Sequence, residues 1–503
     1  MSACRLPSIS KANKFSFLNI DGDLSEIGWD GPQREKLWRY NQHYFDDLNS
    51  INADERNELH IKLIQDWIKS NPPGFGTGWE PYPVSLRIVN LVKWAIRKNK
   101  LSNNTKQSLA IQLRWLMKNL EIHLLGNHLF SNAKALVFGG LFFDGKEADK
   151  WLKKGLGILH KEIKQQILPD GGHFELSTMY HAIAFEDVLD LINITKTFSG
   201  KLSSEQKLKI SSFYGLAKSM HNWLKYMCHP DGEISFFNDS AFGVAPSFAE
   251  LDEYSKRLKI ESSKKTDENI TFFKDSGYLR IKNGSTVAII DVAKIGPDYL
   301  PGHAHADTLS FELSIDKQRI LVNSGTSCYG ISKERLRQRG TRAHNTVVIN
   351  GENSSEVWGG FRVAKRATPF NVRVEQSEDA DSISVWAAHD GYKKIFKSHV
   401  IHRRNWEFKH NNLTISDKIE GRFKRSEVRF HFHPDVVVKV ERPINFSVGT
   451  ILLKGDKKIE FSTDGSARLF DSTWHPSFGF NQKSKVISVF FEKDEVNTIF
   501  SWR

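Results

Sequence analysis

The stretch Glu261-Ser-Ser-Lys-Lys-Thr-Asp-Glu-Asn269 divides the chain into two parts that have different hydrophobic periods. Before it, apolar residues recur three and four positions apart, a spacing that predicts amphipathic helices. After it, the period changes to two, and runs such as Ser285-Thr-Val-Ala-Ile-Ile-Asp-Val292 are typical of strands. We therefore predict an all-helical domain over residues 1–262, a polar linker, and an all-β domain over residues 268–503.

The predicted elements suggest an architecture for each part. In the first part, helical blocks of similar length are separated by short turns rich in Gly, Pro and Asn, which predicts helical hairpins stacked in a ring or solenoid. In the second part, Gly and Asp turns separate strand-like runs at intervals typical of an antiparallel sandwich. The predicted helices cover 55–70, 84–98, 105–120, 128–143, 147–167, 177–197, 204–226 and 247–258, and further strands cover 319–323, 345–349 and 485–491.

Composition limits the partners and the compartment. The 503 residues are enough for two domains, and the net charge of +12 favours an anionic partner such as an acidic glycan, a nucleic acid or a membrane face. No nucleic-acid-binding motif is evident, and no stretch approaches the ~18 apolar residues of a spanning helix. The three scattered cysteines indicate a reducing compartment. No signal peptide is visible, so we expect a cytoplasmic protein, or a periplasmic one if a leader has been removed.

The densest polar cluster is Gly302-His-Ala-His-Ala-Asp307. On a strand, His303, His305 and Asp307 would point to one face, because side chains alternate with a period of two. Two imidazoles and a carboxylate on one face make a metal half-site, to which His344 can add a third imidazole. The alternative is a set of polar residues at a strand end, hydrogen-bonded to loops.

Three clusters in the helical part carry further candidates, and each has a structural alternative. Asn127-His128 precedes an apolar helical run, where Asn is also a common N-cap. Tyr180 follows a Gly-rich turn and can transfer a proton if a neighbouring cation lowers its pKa, or it can be a core tyrosine. Trp79, Tyr82 and Arg87 can form an exposed sugar–uronate subsite, or a packed, Pro-bounded turn.

Taken in order, these clusters resemble the heparinase II/III superfamily. The resemblance also includes Trp38-Arg-Tyr-Asn-Gln-His43 and Arg342-Ala-His344-Asn-Thr, and it covers nearly the whole chain. It implies an α+β multidomain fold, in which an incomplete (α/α) toroid is followed by an antiparallel β-sandwich. It also implies a polysaccharide lyase, which removes the C5 proton of a uronate and expels the C4-linked sugar once the uronate carboxylate is neutralised.

The resemblance assigns roles to individual residues. Asn127 and His128 would hold the uronate carboxylate, Tyr180 would transfer protons, and His303 would be the partner base. The predicted substrate contacts are Trp79, Tyr82, Arg87, Glu175 and Arg342, the last of which matches no residue of the family.

The resemblance also implies a structural zinc ion in the β domain. His305 and His344 match two of its ligands, but Asn323 stands where the family usually has Asp. A neutral amide is a poorer zinc ligand than a carboxylate. The sequence leaves open whether zinc binds, binds weakly, or is replaced by hydrogen bonds among the same side chains.

The predicted function is therefore cleavage of an acidic, uronate-containing glycan by β-elimination. The missing leader points to surface-polysaccharide metabolism, such as that of a capsule or O-antigen. Two alternatives use the same fold: a uronate C5-epimerase, and a non-catalytic glycan-binding or assembly protein. Charge does not discriminate between a glycosaminoglycan, alginate and a capsule, and the sequence does not give the oligomeric state.

Overall fold

A computed structural model describes residues 2–11, 13–97, 100–260, 268–378 and 381–502. Residues 261–267, which make up most of the predicted linker, lie outside the described residues. The chain forms two compact units, and each combines segments that are distant in sequence. Unit 1 consists of Met1–Ile167, Ile183–Ser219 and Ala249–Glu261, and unit 2 of Leu168–Ala182, Met220–Phe248 and Ser262–Arg503.

The helices lie mostly before residue 260. No helix of the described residues is long and apolar enough to cross a membrane. The α-helices are α1 (Leu24–Ile27), α2 (Lys36–Tyr44), α3 (Asn57–Ser70), α4 (Pro81–Ile96), α5 (Asn103–Lys118), α6 (Gly126–Phe142), α7 (Lys146–Gln166), α8 (Thr178–Thr197), α9 (Ser204–Tyr226), α10 (Phe248–Arg257), α11 (Lys333–Arg339) and α12 (Gly391–Phe396).

The strands lie mostly after residue 269. They are β1 (Ile9–Lys11), β2 (Lys14–Phe17), β3 (Ile20–Asp23), β4 (Ile270–Phe273), β5 (Tyr278–Asn283), β6 (Thr286–Asp291), β7 (Phe311–Ile315), β8 (Gln318–Leu321), β9 (Val347–Ile349), β10 (Glu356–Trp358), β11 (Arg362–Ala364), β12 (Pro369–Gln376), β13 (Ile383–His389), β14 (Ile401–Lys409), β15 (Asn412–Glu420), β16 (Ser426–His431), β17 (Val437–Lys439), β18 (Ile444–Leu452), β19 (Lys458–Ser477), β20 (Phe480–Phe491) and β21 (Glu495–Trp502).

Unit 1 is built from packed helices. Helix α4 packs against α2, α5 and α6, and α6 packs against α7. Local sequence sets where the helices begin: Pro81 opens α4 at the position where its missing N–H costs nothing, and the Ser102 side chain caps α5 by accepting from the Thr105 amide. The prediction of an entirely helical first part is wrong at the N-terminus, where β1–β3 form a small antiparallel sheet.

Unit 2 is built from antiparallel sheets. Strands β4–β8 form a five-stranded meander, and an 11-stranded sheet follows the order β12-β13-β14-β15-β21-β19-β20-β16-β9, with β18 paired to β19 and β17 paired to β18. Both sheets contribute to one buried core, in which Phe311 of β7 packs edge-on against Trp406 of β14 at 6.3 Å between ring centroids. Two sheets that share a core in this way form a β-sandwich.

Two segments from the helical part of the sequence complete the core of unit 2. A buried cluster joins Leu176, Trp223 and Phe237 to Tyr278 and Ile289 of the meander. A tight turn before α8 fixes the first of these segments. A Cβ at Gly172 in this turn would lie 2.8 Å from the Trp223 indole nitrogen, so the position requires glycine. The turn thereby places the start of α8, including Tyr180, in unit 2.

Candidate active site

His303 lies in the loop before β7 and not on a strand, so the shared strand face considered for His303, His305 and Asp307 does not exist. The loop is held by the segment at Asn238 and Asp239. The Asp239 amide donates to the His303 carbonyl (3.0 Å), and the His305 amide donates to the Asn238 side chain (3.0 Å). The rings of His303 and His305 both contact Asp239, although the two residues do not lie on one face of a strand.

Asp239 fixes the orientation of the His303 ring. A carboxylate only accepts hydrogen bonds, so His303 Nδ1–H donates to Asp239 Oδ2 (2.8 Å), and the lone pair of the neutral ring is on Nε2. The His303 side chain is 16% exposed and Asp239 is fully buried. A histidine held by a buried carboxylate in this way has a defined tautomer and a ring nitrogen ready to accept a proton.

Arg335 holds Asp239 in turn. Its two terminal nitrogens donate to the two carboxylate oxygens of Asp239, the Nη2 contact being 2.7 Å, and both side chains are fully buried. Burial opposes ionisation of Asp239. Arg335, His303 and His305 outweigh that effect and hold the pKa of the carboxyl well below its usual value. Asp239 is therefore a permanent anion behind His303.

Tyr180 lies against His303. The ring centroids are 4.0 Å apart, and the Tyr180 hydroxyl is 2.8 Å from the Tyr329 hydroxyl. Burial, followed by Tyr329, raises the pKa of Tyr180 well above its usual value. The condition set for proton transfer by Tyr180, a pKa lowered by a neighbouring cation, is therefore not met. A neutral phenol is a proton donor, so Tyr180 is suited to act as a general acid.

Glu175 is only 2% exposed, which leaves little surface for a sugar contact. Its Oε2 lies 3.8 Å from Nε2 of His303. A carboxylate at this distance stabilises the positive charge that develops on the ring when it takes a proton. The structure therefore places Glu175 beside His303, and its substrate-binding role stays a prediction.

A second cluster adjoins Asp239. His305 Nε2–H donates to Asp239 Oδ1 (2.8 Å), so the lone pair of its neutral ring is on Nδ1, which lies 3.3 Å from Nε2 of His344. On the other edge of its ring, His344 Nδ1 lies 3.1 Å from the Asn323 side-chain oxygen. His305, Asp307 and His344 place one ligand atom each within 4.8 Å of one another. All three are buried.

The charge states of this cluster suit a cation. Burial lowers the pKa of His305 to about 4 and that of His344 well below its usual value, so both rings are neutral at pH 7. Burial also raises the pKa of Asp307 to about 6. Metal binding requires neutral imidazoles and an ionised carboxylate.

The site residues of unit 1 form a separate group. His128 Nδ1–H donates to Glu121 (2.9 Å), and its ring lies against that of Tyr82, with 4.4 Å between centroids. Asn127 is half-buried in the first turn of α6 and is not the N-cap, which is Leu125. The structure thus places Tyr82, a predicted substrate contact, against His128, a residue predicted to hold the uronate carboxylate.

Trp79 and Arg87 are not exposed, so the prediction that they contact substrate is wrong. Trp79 is 3% exposed, and its indole N–H donates to the Asn71 carbonyl (3.1 Å). Arg87 is fully buried. It donates to the Gln112 side chain and to the carbonyls of His43 and Gly78. Both residues stabilise the turn between α3 and α4, which agrees with the alternative prediction of a packed, Pro-bounded turn.

Arg342 is half-exposed and forms a 3.4 Å ion pair with Glu427. Its carbonyl accepts from the His431 ring (3.0 Å). These partners differ from those of His303, so the contacts of Arg342 give no support to its predicted role near the reacting sugar.

Sequence reasoning missed Asp239, Tyr329, Arg335 and Glu121. Asp239 lies in Phe237-Asn-Asp-Ser240, a polar stretch with no recognisable spacing, and Arg335 lies in a short basic helix that resembles a solvated face. Tyr329 carried a signal, because it precedes Gly330 in a loop directly after the Asn323 segment. Loops beside a predicted site are where binding groups concentrate.

Comparison with known proteins places the chain in a family. The description "Heparinase II/III N-terminus" matches residues 14–262, and "Heparinase II/III-like, C-terminal" matches residues 265–503. The chain belongs to the heparinase II/III family. The predicted resemblance is thereby confirmed, and both halves of the family pattern are present in one chain.

Individual relatives of this family agree with the assignment. A heparin-sulfate lyase of Bacteroides stercoris is 24% identical over 67% of this chain, and one of Bacteroides thetaiotaomicron is 26% identical over 61%. The matches span 57% and 50% of those proteins, so this chain aligns with only about half the length of these relatives. A crystal structure of heparinase III superposes with a TM-score of 0.73 at 20% identity, covering 94% of this chain and 77% of that one. This likeness confirms the predicted fold class.

Proposed function

We propose that the protein is a polysaccharide lyase that cleaves an acidic, uronate-containing glycan by β-elimination. The observation that carries the proposal is the pairing of His303 with Tyr180. A ring nitrogen able to take a proton and a neutral phenol able to give one lie side by side, with ring centroids 4.0 Å apart. The heparin-sulfate lyase relatives support a glycosaminoglycan as the class of substrate.

The reaction divides into a base step and an acid step. Nε2 of His303 takes the C5 proton, and the C5–H electrons form the C4=C5 double bond as the C4–O bond breaks. Tyr180 gives its hydroxyl proton to the departing oxygen, and the Tyr329 hydroxyl, at 2.8 Å, donates to the phenolate that remains. Proton return from His303 through solvent restores the phenol. The products are an unsaturated uronate end and a free sugar hydroxyl.

The remaining residues have supporting roles in this proposal. Asp239 and Glu175 stabilise the imidazolium that forms at His303. Asn127 and His128 bind and neutralise the uronate carboxylate, which makes the C5 proton removable. Tyr82 packs against His128 and limits the orientations of its ring.

We also propose that the β domain binds a structural zinc ion through His305, His344 and Asp307. Nδ1 of His305 and Nε2 of His344 lie 3.3 Å apart, which matches the separation of about 3.4 Å expected between two nitrogens bound to one tetrahedral zinc ion. Asn323 lies at the opposite ring nitrogen of His344, so it orients that ligand. Bound zinc would cross-link the loop before β7 to the segment after α11. The zinc content of the purified protein measures this directly.

The lyase proposal is tested by following the ultraviolet absorbance of unsaturated uronate ends. Wild type is incubated with heparan sulfate, chondroitin sulfate, alginate and the surface polysaccharide of its source. The Tyr180→Phe variant should lose about 10²–10⁴-fold in kcat, the usual contribution of a general acid. Tyr392→Phe is the matched control, because Tyr392 is a buried tyrosine of the same unit that donates to the Val347 carbonyl. It should keep wild-type kcat.

Two results would contradict the proposal. If Tyr180→Phe retained wild-type kcat, the assignment of the acid would be wrong. If no glycan gave absorbance while C5 of a uronate took up deuterium from heavy water without chain cleavage, the protein would be a C5-epimerase.

A further inference from the structure

A small hairpin borders His303. Strands β10 and β11 pair with each other alone, with Val357 opposite Val363 and Trp358 opposite Arg362. Directly opposed residues of an antiparallel pair point to the same face, and successive residues point to opposite faces. Val357 and Val363 pack against Ile295, so Trp358 and Arg362 point the other way, to solvent.

The tip of this hairpin is fixed next to the catalytic histidine. Phe361 at the tip lies 6.0 Å from the His303 ring and 5.3 Å from the Tyr329 ring. Arg335, which also holds Asp239, donates to the Gly360 carbonyl (3.0 Å). A Cβ at Gly360 would lie 2.4 Å from the Gly330 carbonyl, so the tip needs glycine to approach this closely. The hairpin and the His303 site therefore share a common anchor.

Trp358 is unusual for its exposure. All 13 tryptophans lie in the described residues, and Trp358, at 53%, is the one whose side chain is mostly exposed. Leaving a large aromatic ring in water costs favourable burial energy that packing would recover. Its opposite neighbour, Arg362, is exposed and has no ion-pair partner among the described residues. An indole face beside a guanidinium matches a sugar ring that carries an acidic group.

We propose that Trp358 and Arg362 form a subsite for a sugar residue that neighbours the one bound at His303. This proposal rests on the proposed lyase function, because the occupant is the same acidic glycan chain. The indole stacks on the apolar face of the pyranose ring, and the guanidinium pairs with a carboxylate or sulfate of the same or the next sugar. Because the hairpin tip is anchored beside His303, the distance between this subsite and the glycosidic bond that is cleaved is fixed.

The test compares KM with kcat for three variants on the glycan that wild type cleaves in the absorbance assay. Trp358→Ala should raise KM about tenfold, the order of effect expected on losing a stacked aromatic ring, and kcat should stay within about twofold. Trp358→Phe should recover part of the loss. The matched control is Phe470→Ala, because Phe470 is an exposed aromatic residue (40%) of another strand in the same unit. Its KM should equal that of wild type.

Binding without turnover gives a second measurement. In the Tyr180→Phe background, the same glycan should shield tryptophan fluorescence from acrylamide, and adding Trp358→Phe should remove that shielding.

The outcomes separate this proposal from the one it rests on. If wild type cleaves no glycan, both proposals fall. If wild type cleaves a glycan and Trp358→Ala leaves KM unchanged, or if Phe470→Ala raises KM equally, the subsite alone is overturned.

Discussion

Among the candidate site residues, each compact unit contributes a histidine paired with a carboxylate, and the two pairs differ in how firmly the carboxylate is held. In unit 1, Glu121 faces a histidine that is 30% exposed, and its other side-chain partner is the neutral amide of Asn132. In unit 2, Asp239 is fully buried and bound by His303, His305 and Arg335. This difference supports the two proposed roles, because a fixed buried anion suits proton transfer, whereas a part-exposed histidine suits binding of a charged group.

The largest effect is expected from Asp239→Asn. The amide removes the negative charge behind His303 and leaves the Arg335 charge buried and unpaired. We expect kcat to fall about 10³–10⁴-fold, as when the anion behind a catalytic histidine is removed. The free energy of unfolding should fall by about 3–5 kcal/mol. Steady-state kinetics and denaturant unfolding measure the two effects separately.

Asp417→Asn is the control for that variant. Asp417 is another buried carboxylate of unit 2, bound by His402 (2.6 Å) and by two nitrogens of Arg404. It should lose comparable stability and keep wild-type kcat at temperatures where it is folded. An equal loss of kcat in both variants would show that Asp239 acts only through folding.

A smaller effect is expected from Glu121→Gln. The glutamine oxygen can still accept from His128, so the variant exchanges a charged acceptor for a neutral one and loses about 1 kcal/mol of interaction. We expect KM to rise by up to about fivefold with little change in kcat. Glu147→Gln, which alters an exposed ion pair of unit 1 with Arg114, should leave both constants unchanged. A fall in kcat as large as that of Asp239→Asn would remove the distinction between the two pairs.

The smallest effect on activity is expected from changes at the zinc site, where the readout is the metal itself. Asp307→Asn should abolish stoichiometric zinc, whereas Asn323→Ala should weaken zinc binding about 10–100-fold, as loss of a ligand's orienting partner does. Elemental analysis and competition with a chromophoric chelator give both values. If Asn323→Ala abolished zinc binding and Asp307→Asn only weakened it, Asn323 and not Asp307 would be the metal ligand. Wild type without zinc after reconstitution would mean that hydrogen bonds among His305, His344 and Asn323 replace the metal.

Periodicity predicted most of the fold, because amphipathic helices leave a repeating pattern of apolar residues. The block 105–120 corresponds to α5 (Asn103–Lys118), and the block 204–226 coincides with α9. Strands β1–β3 were missed because runs of three or four residues are too short to show a period of two. The two-unit grouping was also missed, since membership of Leu168–Ala182 in unit 2 depends on contacts with residues far along the chain.

The site was predicted only as far as family motifs extend. His303 and Tyr180 were recognised, and the structure brings them together. Asp239 was not, because its bonds to the loop before β7 connect positions more than 60 residues apart and leave no local pattern. Trp79 and Arg87 were misassigned for a related reason: sequence shows residue type and spacing, whereas exposure depends on how the turn packs.

The division of the chain between the two units has a practical consequence for preparing fragments. A fragment that starts after the polar stretch at 261–269 has the sheets but lacks Tyr180, Asp239, and the core residues Leu176, Trp223 and Phe237. Water would then reach the faces of Tyr278 and Ile289 that these residues cover. Such a fragment would expose an apolar surface that promotes aggregation, and it would lack part of the candidate active site. The linker that the sequence suggests as a domain boundary is therefore a poor place to truncate the protein.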